Sequence, residues 1–188
     1  MAKIFECIDD MIEKFIKAQH LFFVATAPLD AAGHVNLSPK GLDCLRILDS
    51  KTVAYLDLTG SGIETIAHLR ENGRIVLMFC AFQGPPKIVR LHGRGEVFEQ
   101  GDSRFDELRP LFPSLAGTRS IIVVSVNRVA DSCGYAIPLF SYEGERSQLI
   151  EWAENKGEAA VEQYRSEKNR MSIDGLPGLS GPRAGRED

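Results

Sequence analysis

The segment Asp57-Leu58-Thr59-Gly60-Ser61-Gly62-Ile63-Glu64-Thr65 passes from an apolar run through two glycines into the start of a helical pattern. That passage suits a phosphate. A helix N-terminus presents unpaired N–H groups and the positive end of its dipole, and glycines let a ligand approach the backbone closely. Thr59, Gly60, Ser61, Gly62 and Thr65 are therefore candidate ligand-binding residues, with the Ser61 and Thr65 hydroxyls as added donors. Ser61 followed three residues later by Glu64 also matches a capping box, which closes a helix start without any ligand, and spacing alone favours that plainer reading. The segment is not Gly-x-Gly-x-x-Gly, because Thr65 stands at the third glycine's place, and no Gly-Lys-Ser/Thr follows to make it a P-loop.

Asn36-Leu37-Ser38-Pro39-Lys40-Gly41 is a second candidate: proline and glycine force irregular backbone at a strand end, and Lys40 could face an anion. A turn carrying a solvated lysine explains the same residues. Arg90, His92 and Arg94 alternate, so they project from one strand face while Leu91 and Gly93 take the other. They could grip an anion, or guard the solvent face of an edge strand. Nucleophilic catalysis lacks support, since there is no Gly-x-Ser-x-Gly elbow and no cysteine with a neighbouring histidine. Asp9-Asp10 reads as the solvated side of a helix, and Trp152 and Tyr164 as packing residues at helical spacing with Ile150 and Val161.

The elements that must position these residues are mostly strands. Ile4, Phe5, Ile8, Ile12, Phe15 and Ile16 recur at three- and four-residue steps and predict a helix over 4–17. Residues 21–27 and 35–37 read as a hairpin broken at Pro28, Asp30 and Gly33, and 45–48 with 52–56 as a second around Asp49-Ser50-Lys51. A short helix from Ile63 stops at Asn72-Gly73. Strands follow at 75–82 and 88–98, then a helix at 103–111 stopped by Pro113, the strongest strand at 121–126, and helical composition over 145–168. Successive short strands with few helices between them indicate an antiparallel, β-rich α+β fold and exclude a doubly wound nucleotide fold.

With 188 residues, 44% of them apolar, the chain has the size and core of one domain. Its 22 basic and 26 acidic residues are interleaved to a net charge of −4, with no basic block for nucleic acid. Glu6, Asp9 and Asp10 stand where a signal peptide would be apolar, and no stretch is long and apolar enough to span a membrane, so a cytoplasmic protein is expected. Cys7, Cys44, Cys80 and Cys133 form no Cys-x-x-Cys pair and suit reduced thiols, and His20, His34, His68 and His92 add no metal-ligand spacing.

Taken in order, Asn36-Leu37-Ser38-Pro39-Lys40-Gly41, Tyr55-Leu56-Asp57-Leu58-Thr59-Gly60-Ser61-Gly62 and Arg74-Ile75-Val76-Leu77-Met78-Phe79 resemble the flavin-binding split barrels related to pyridoxamine 5'-phosphate oxidase, over roughly residues 5 to 130. The segments 133–138 and 172–178 are similar to those of an uncharacterised subgroup. The resemblance implies a six-stranded antiparallel split β-barrel with flanking helices, in a single domain over 1–179 that includes a C-terminal helix, while residues 180–188, small, charged and glycine-rich, read by composition as a disordered tail. It implies FMN as cofactor, a homodimer with the flavin between subunits, and a small-molecule substrate. The phosphate would lie at Ser61, Gly62 and Thr65 and the ring along Ser38, Pro39 and Lys40, with Thr59, Gly60 and Arg90 as further cofactor-binding residues. Two departures weigh against vitamin B6 oxidation: Ile63-Glu64-Thr65 replaces the family's basic pair at the phosphate turn, and the tail ends Leu176-Pro177-Gly178-Leu179 in place of a tryptophan and arginine-leucine motif. An FMN-dependent oxidoreductase is the expected function, with a non-catalytic flavin- or haem-binding carrier or sensor as the alternative.

Overall fold

The computed structural model of the protein describes residues 3–180. Its elements run β1 (Lys3–Phe5), α1 (Asp10–Lys17), β2 (Phe22–Thr26), β3 (Asn36–Lys40), β4 (Leu45–Asp49), β5 (Thr52–Leu58), α2 (Glu64–Asn72), β6 (Arg74–Cys80), β7 (Ile88–Glu99), α3 (Ser103–Leu108), β8 (Thr118–Ser132), α4 (Gln148–Lys156) and α5 (Glu158–Lys168). A 3-10 turn, Arg109–Leu111, follows α3. The strands form one antiparallel sheet in the order β3-β2-β6-β7-β8-β5-β4, with β1 added on β8. This is the antiparallel, sheet-rich α+β fold the sequence predicts, with eight strands in place of six and with β3 and β4 left as edges.

Most elements form for reasons visible locally. Alternation buries Phe22, Val24 and Thr26 on β2, and Ile75, Leu77 and Phe79 on β6. Phe22 packs edge-on to Tyr55 and stacks on Phe79, joining β2, β5 and β6 in the interior. The helix expected over 4–17 begins only at Asp10, because the Asp9 carboxylate accepts the Ile12 N–H at 2.8 Å and caps the helix there. Ile4 and Phe5 instead extend the sheet opposite Ala130 and Val129. Gly73, at φ +70, terminates α2 as expected and its N–H bonds the Leu69 carbonyl. The helical stretch 145–168 is divided at Gly157, whose φ of +76 ends α4 before α5 starts. Trp152 and Tyr164 meet edge to face across that break, with centroids 5.2 Å apart.

β7 lies between β6 and β8, so its basic face belongs to a central strand and not to an edge. Of the expected tail, only Ser180 falls among the described residues, and its N–H and hydroxyl are bound to the Glu99 carboxylate. No helix among the described residues is long and apolar enough to cross a membrane.

Candidate phosphate turn and its buried support

β5 is buried along nearly its whole length, and it carries Asp57 into the interior with no exposed surface. A lone carboxylate there would be costly, and two cations offset it. Arg119 on β8 donates from Nε to Asp57 Oδ2 at 2.5 Å, and Lys40 on β3 donates from Nζ to Oδ1 at 3.0 Å. Burial would raise the Asp57 carboxyl, but Arg119 and then Lys40 outweigh it and hold the pKa at about 2. Lys40, which the sequence offers to a ligand, is thus paired with Asp57 and only slightly exposed.

After β5 the chain leaves the sheet at Thr59, whose N–H and hydroxyl both bond the Gly117 carbonyl at 2.8 Å. Arg165 on α5 donates to the Thr59 hydroxyl at 2.9 Å. Gly60, Ser61 and Gly62 then pass over the surface, and a Cβ on Gly60 would meet nothing within 4 Å. Ile63 stands at the N-cap of α2 and offers no side-chain cap. The capping box expected from Ser61 and Glu64 is therefore not formed, because the helix begins two residues later than that motif requires. The first-turn N–H groups of α2 are left in the state that attracts an anion.

Thr65, in that first turn, is buried and accepts from Asn36 Nδ2 at 2.9 Å, so its own hydroxyl proton remains available to donate. Asn36 also donates to Thr26 Oγ1 at 3.2 Å and accepts from the Ser38 hydroxyl at 3.0 Å, tying β2 and β3 to α2. Thr26 in turn bonds Nδ1 of the buried His68 at 2.9 Å. Burial lowers the His68 pKa, so this imidazole is held neutral. Pro39 projects from the outer side of the β3 edge.

One acidic group counts against an anion here. A Cβ on Gly62 would meet Glu64 Oε2 at 2.6 Å, so that carboxylate folds back beside the turn, while its Oε1 accepts the Ile173 N–H at 3.4 Å.

Ser38, Lys40, Thr59, Gly60, Ser61, Gly62 and Thr65 are thus gathered where β3, β5 and α2 meet. Arg90 is not brought to this cluster by pairing: β7 is separated from β3 by β2 and β6 and from β5 by β8, and Arg90 Nη1 donates to Ser132 at 3.0 Å. The register shift between β7 and β8 puts its extra residue, Asn127, on β8, so Arg90, His92 and Arg94 keep one face of β7, where Arg94 donates to the Asn72 carbonyl at 2.9 Å. Burial, then Arg128 and Arg90, lowers the His92 pKa. Cys44 is unsuited to nucleophilic work, because burial pushes its thiol up to about 12. Sequence reasoning missed Asp57, Arg119, Arg165 and Asn169. A charged residue in the apolar run of β5 was the signal for Asp57, whereas the others lie 57 or more positions from the atoms of the turn that they bind.

The family model described as "Pyridoxamine 5'-phosphate oxidase" matches residues 8–133. A pyridoxamine 5'-phosphate oxidase family protein of Aspergillus flavus, ustO, is 38% identical over 194 residues, which cover 93% of this chain and 77% of that protein. A crystallised variant of HupZ from Group A Streptococcus shares the fold at a TM-score of 0.51 and 24% identity, over 66% of this chain and 99% of HupZ. From the matched stretch and the level of identity, the chain belongs to the pyridoxamine 5'-phosphate oxidase family.

Proposed function

We propose that the protein binds FMN and works as an FMN-dependent oxidoreductase on a small molecule, as a homodimer with the flavin between subunits. The observation that carries this reading is the exposed Gly60-Ser61-Gly62 turn, which leads into a helix with no side-chain cap in a chain of this family. The donors fit a single phosphate: the first-turn N–H groups of α2, the exposed Ser61 hydroxyl, and the Thr65 hydroxyl oriented by Asn36. Gly60 leaves the approach open. Bound FMN supplies the electron transfer, and the protein binds, orients and tunes it. Ser38 and Pro39 on the β3 edge are assigned to the ring system, with Lys40 beneath them holding its charge against Asp57. Arg90, outside this cluster and held by Ser132, is kept as a further candidate contact to the flavin. Glu64 and Thr65, in place of a basic pair, weigh against pyridoxamine phosphate as substrate.

The test is the visible spectrum of the purified protein, with mass spectrometry of any small molecule released on denaturation. FMN is expected, or stoichiometric uptake of added FMN. The double replacement Ser61→Ala, Thr65→Ala should weaken FMN binding about tenfold through lost charge-assisted hydrogen bonds. A colourless protein that takes up no FMN overturns the reading. A protein that holds FMN but oxidises neither NADH nor NADPH faster than free FMN is a carrier, and the oxidoreductase part then falls.

A further inference from the structure

The exposed turn is gripped from its inner side by two buried side chains. Asn169, at the C-terminal end of α5 and with no exposed surface, donates from Nδ2 to the carbonyls of Gly60 at 2.9 Å and Ser61 at 3.3 Å. Arg119 donates from Nη1 to the carbonyl of Gly62 at 2.9 Å, to that of Gly60 at 3.5 Å, and to Asn169 Oδ1 at 3.0 Å. The orientation of the Asn169 amide is fixed by chemistry, because a guanidinium only donates and a carbonyl only accepts. Asn169 is itself fastened at both backbone ends: its N–H bonds the Arg165 carbonyl and its carbonyl accepts the Leu179 N–H, each at 2.8 Å.

Three successive carbonyls thus face the interior. The described residues contain no cis peptide bond, and in a trans peptide the N–H points opposite to the carbonyl. The N–H groups of Ser61, Gly62 and Ile63 are therefore turned to the outer side of the turn, next to the uncapped start of α2. Consecutive outward amides of this kind form an anion-binding concavity. Beneath the turn, Lys40 and Arg119 face one carboxylate, Asp57, leaving one net positive charge there, which the Glu64 carboxylate beside the turn opposes.

We infer that Asn169 and Arg119 are positioning residues for the phosphate of a flavin mononucleotide: by holding the carbonyls of the turn inward, they preorganise its amides for the anion and replace the basic pair this chain lacks. The role rests on the FMN reading above. It assigns a function to the C-terminal helix and the segment after it, which lie outside the stretch 8–133 shared with the family model. Neither residue touches the phosphate, so the effect should fall on the phosphate and spare the ring.

The test compares binding of FMN and riboflavin, which differ only in the phosphate, by flavin fluorescence titration of the full chain and of Asn169→Ala. The variant should bind FMN about tenfold more weakly while riboflavin binding changes less than about twofold, a loss on the scale of one or two hydrogen bonds. Asn169→Asp keeps the shape and the acceptor for Arg119 but sets a carboxylate oxygen against two carbonyls, and it should lose FMN selectivity further. It serves if the alanine variant fails to fold. Equal losses for both flavins, or no loss, overturn the positioning role while wild-type FMN binding stands. A wild-type protein that binds neither flavin overturns the FMN reading and this role with it.

Discussion

At the scale of single residues, the turn depends on which side chains reach it and with what charge. Ser61 and Glu64 have the spacing of a capping box, yet Ile63 occupies the N-cap and Glu64 lies back over Gly62. Sequence spacing cannot distinguish these outcomes, because the choice is made by Asn169 and Arg119, which fix the turn from 108 and 57 positions away. The Glu64 carboxylate beside an anion site predicts a gain on neutralisation. Glu64→Gln should tighten FMN binding by roughly three- to tenfold at low salt and less at high salt, read by the same fluorescence titration, since a nearby surface charge contributes about 1 kcal/mol and is screened. Unchanged affinity at low salt would place the phosphate away from α2.

Among the elements, hairpins were legible wherever turn residues separate two alternating runs, as at Asp49-Ser50-Lys51 between β4 and β5. Ile4 and Phe5 misled because they continue a helical spacing that begins in earnest only after Asp9, and only the long-range pairing with β8 reveals them as strand. β8 runs from Thr118 to Ser132, well beyond the β-branched core at 121–126, because pairing with β7 carries the polar ends along. Two glycines of β7 allow close approaches, one to β8 and one to α2. A Cβ on Gly93 would sit 2.3 Å from the Ser125 carbonyl of β8, whereas one on Gly95 would meet the Leu69 methyls of α2 at 2.8 and 2.9 Å. Backbone yields less readily than a leucine tip. Gly93→Ala should therefore destabilise more than Gly95→Ala, by about 2–3 against about 1 kcal/mol in urea unfolding, the range for overpacked sites. The reverse order would contradict the register assigned between β7 and β8.

For the molecule as a whole, the buried charges set how stability varies with pH. The Asp57 pKa is lowered from 3.8 to about 2, so its contribution is complete above pH 4 and is lost as pH falls toward 2. A shift of that size corresponds to about 2 kcal/mol. His68 acts in the same direction at higher pH: its lowered pKa means the unfolded chain takes up a proton below about pH 6.5 that the folded protein resists. The urea midpoint should decline in two stages, first below about pH 6.5 and again below about pH 4, and a flat profile from pH 7 to 3 would rule out this reading.

The two margins of the sheet are both irregular. On β3, Pro39 lacks an N–H, and on β4 the pairing shifts between Ile47 and Asp49. Neither margin can serve as an unbroken template for a strand from another molecule. At these two end strands the chain is thereby guarded against polymerising into a continuous cross-molecular ribbon.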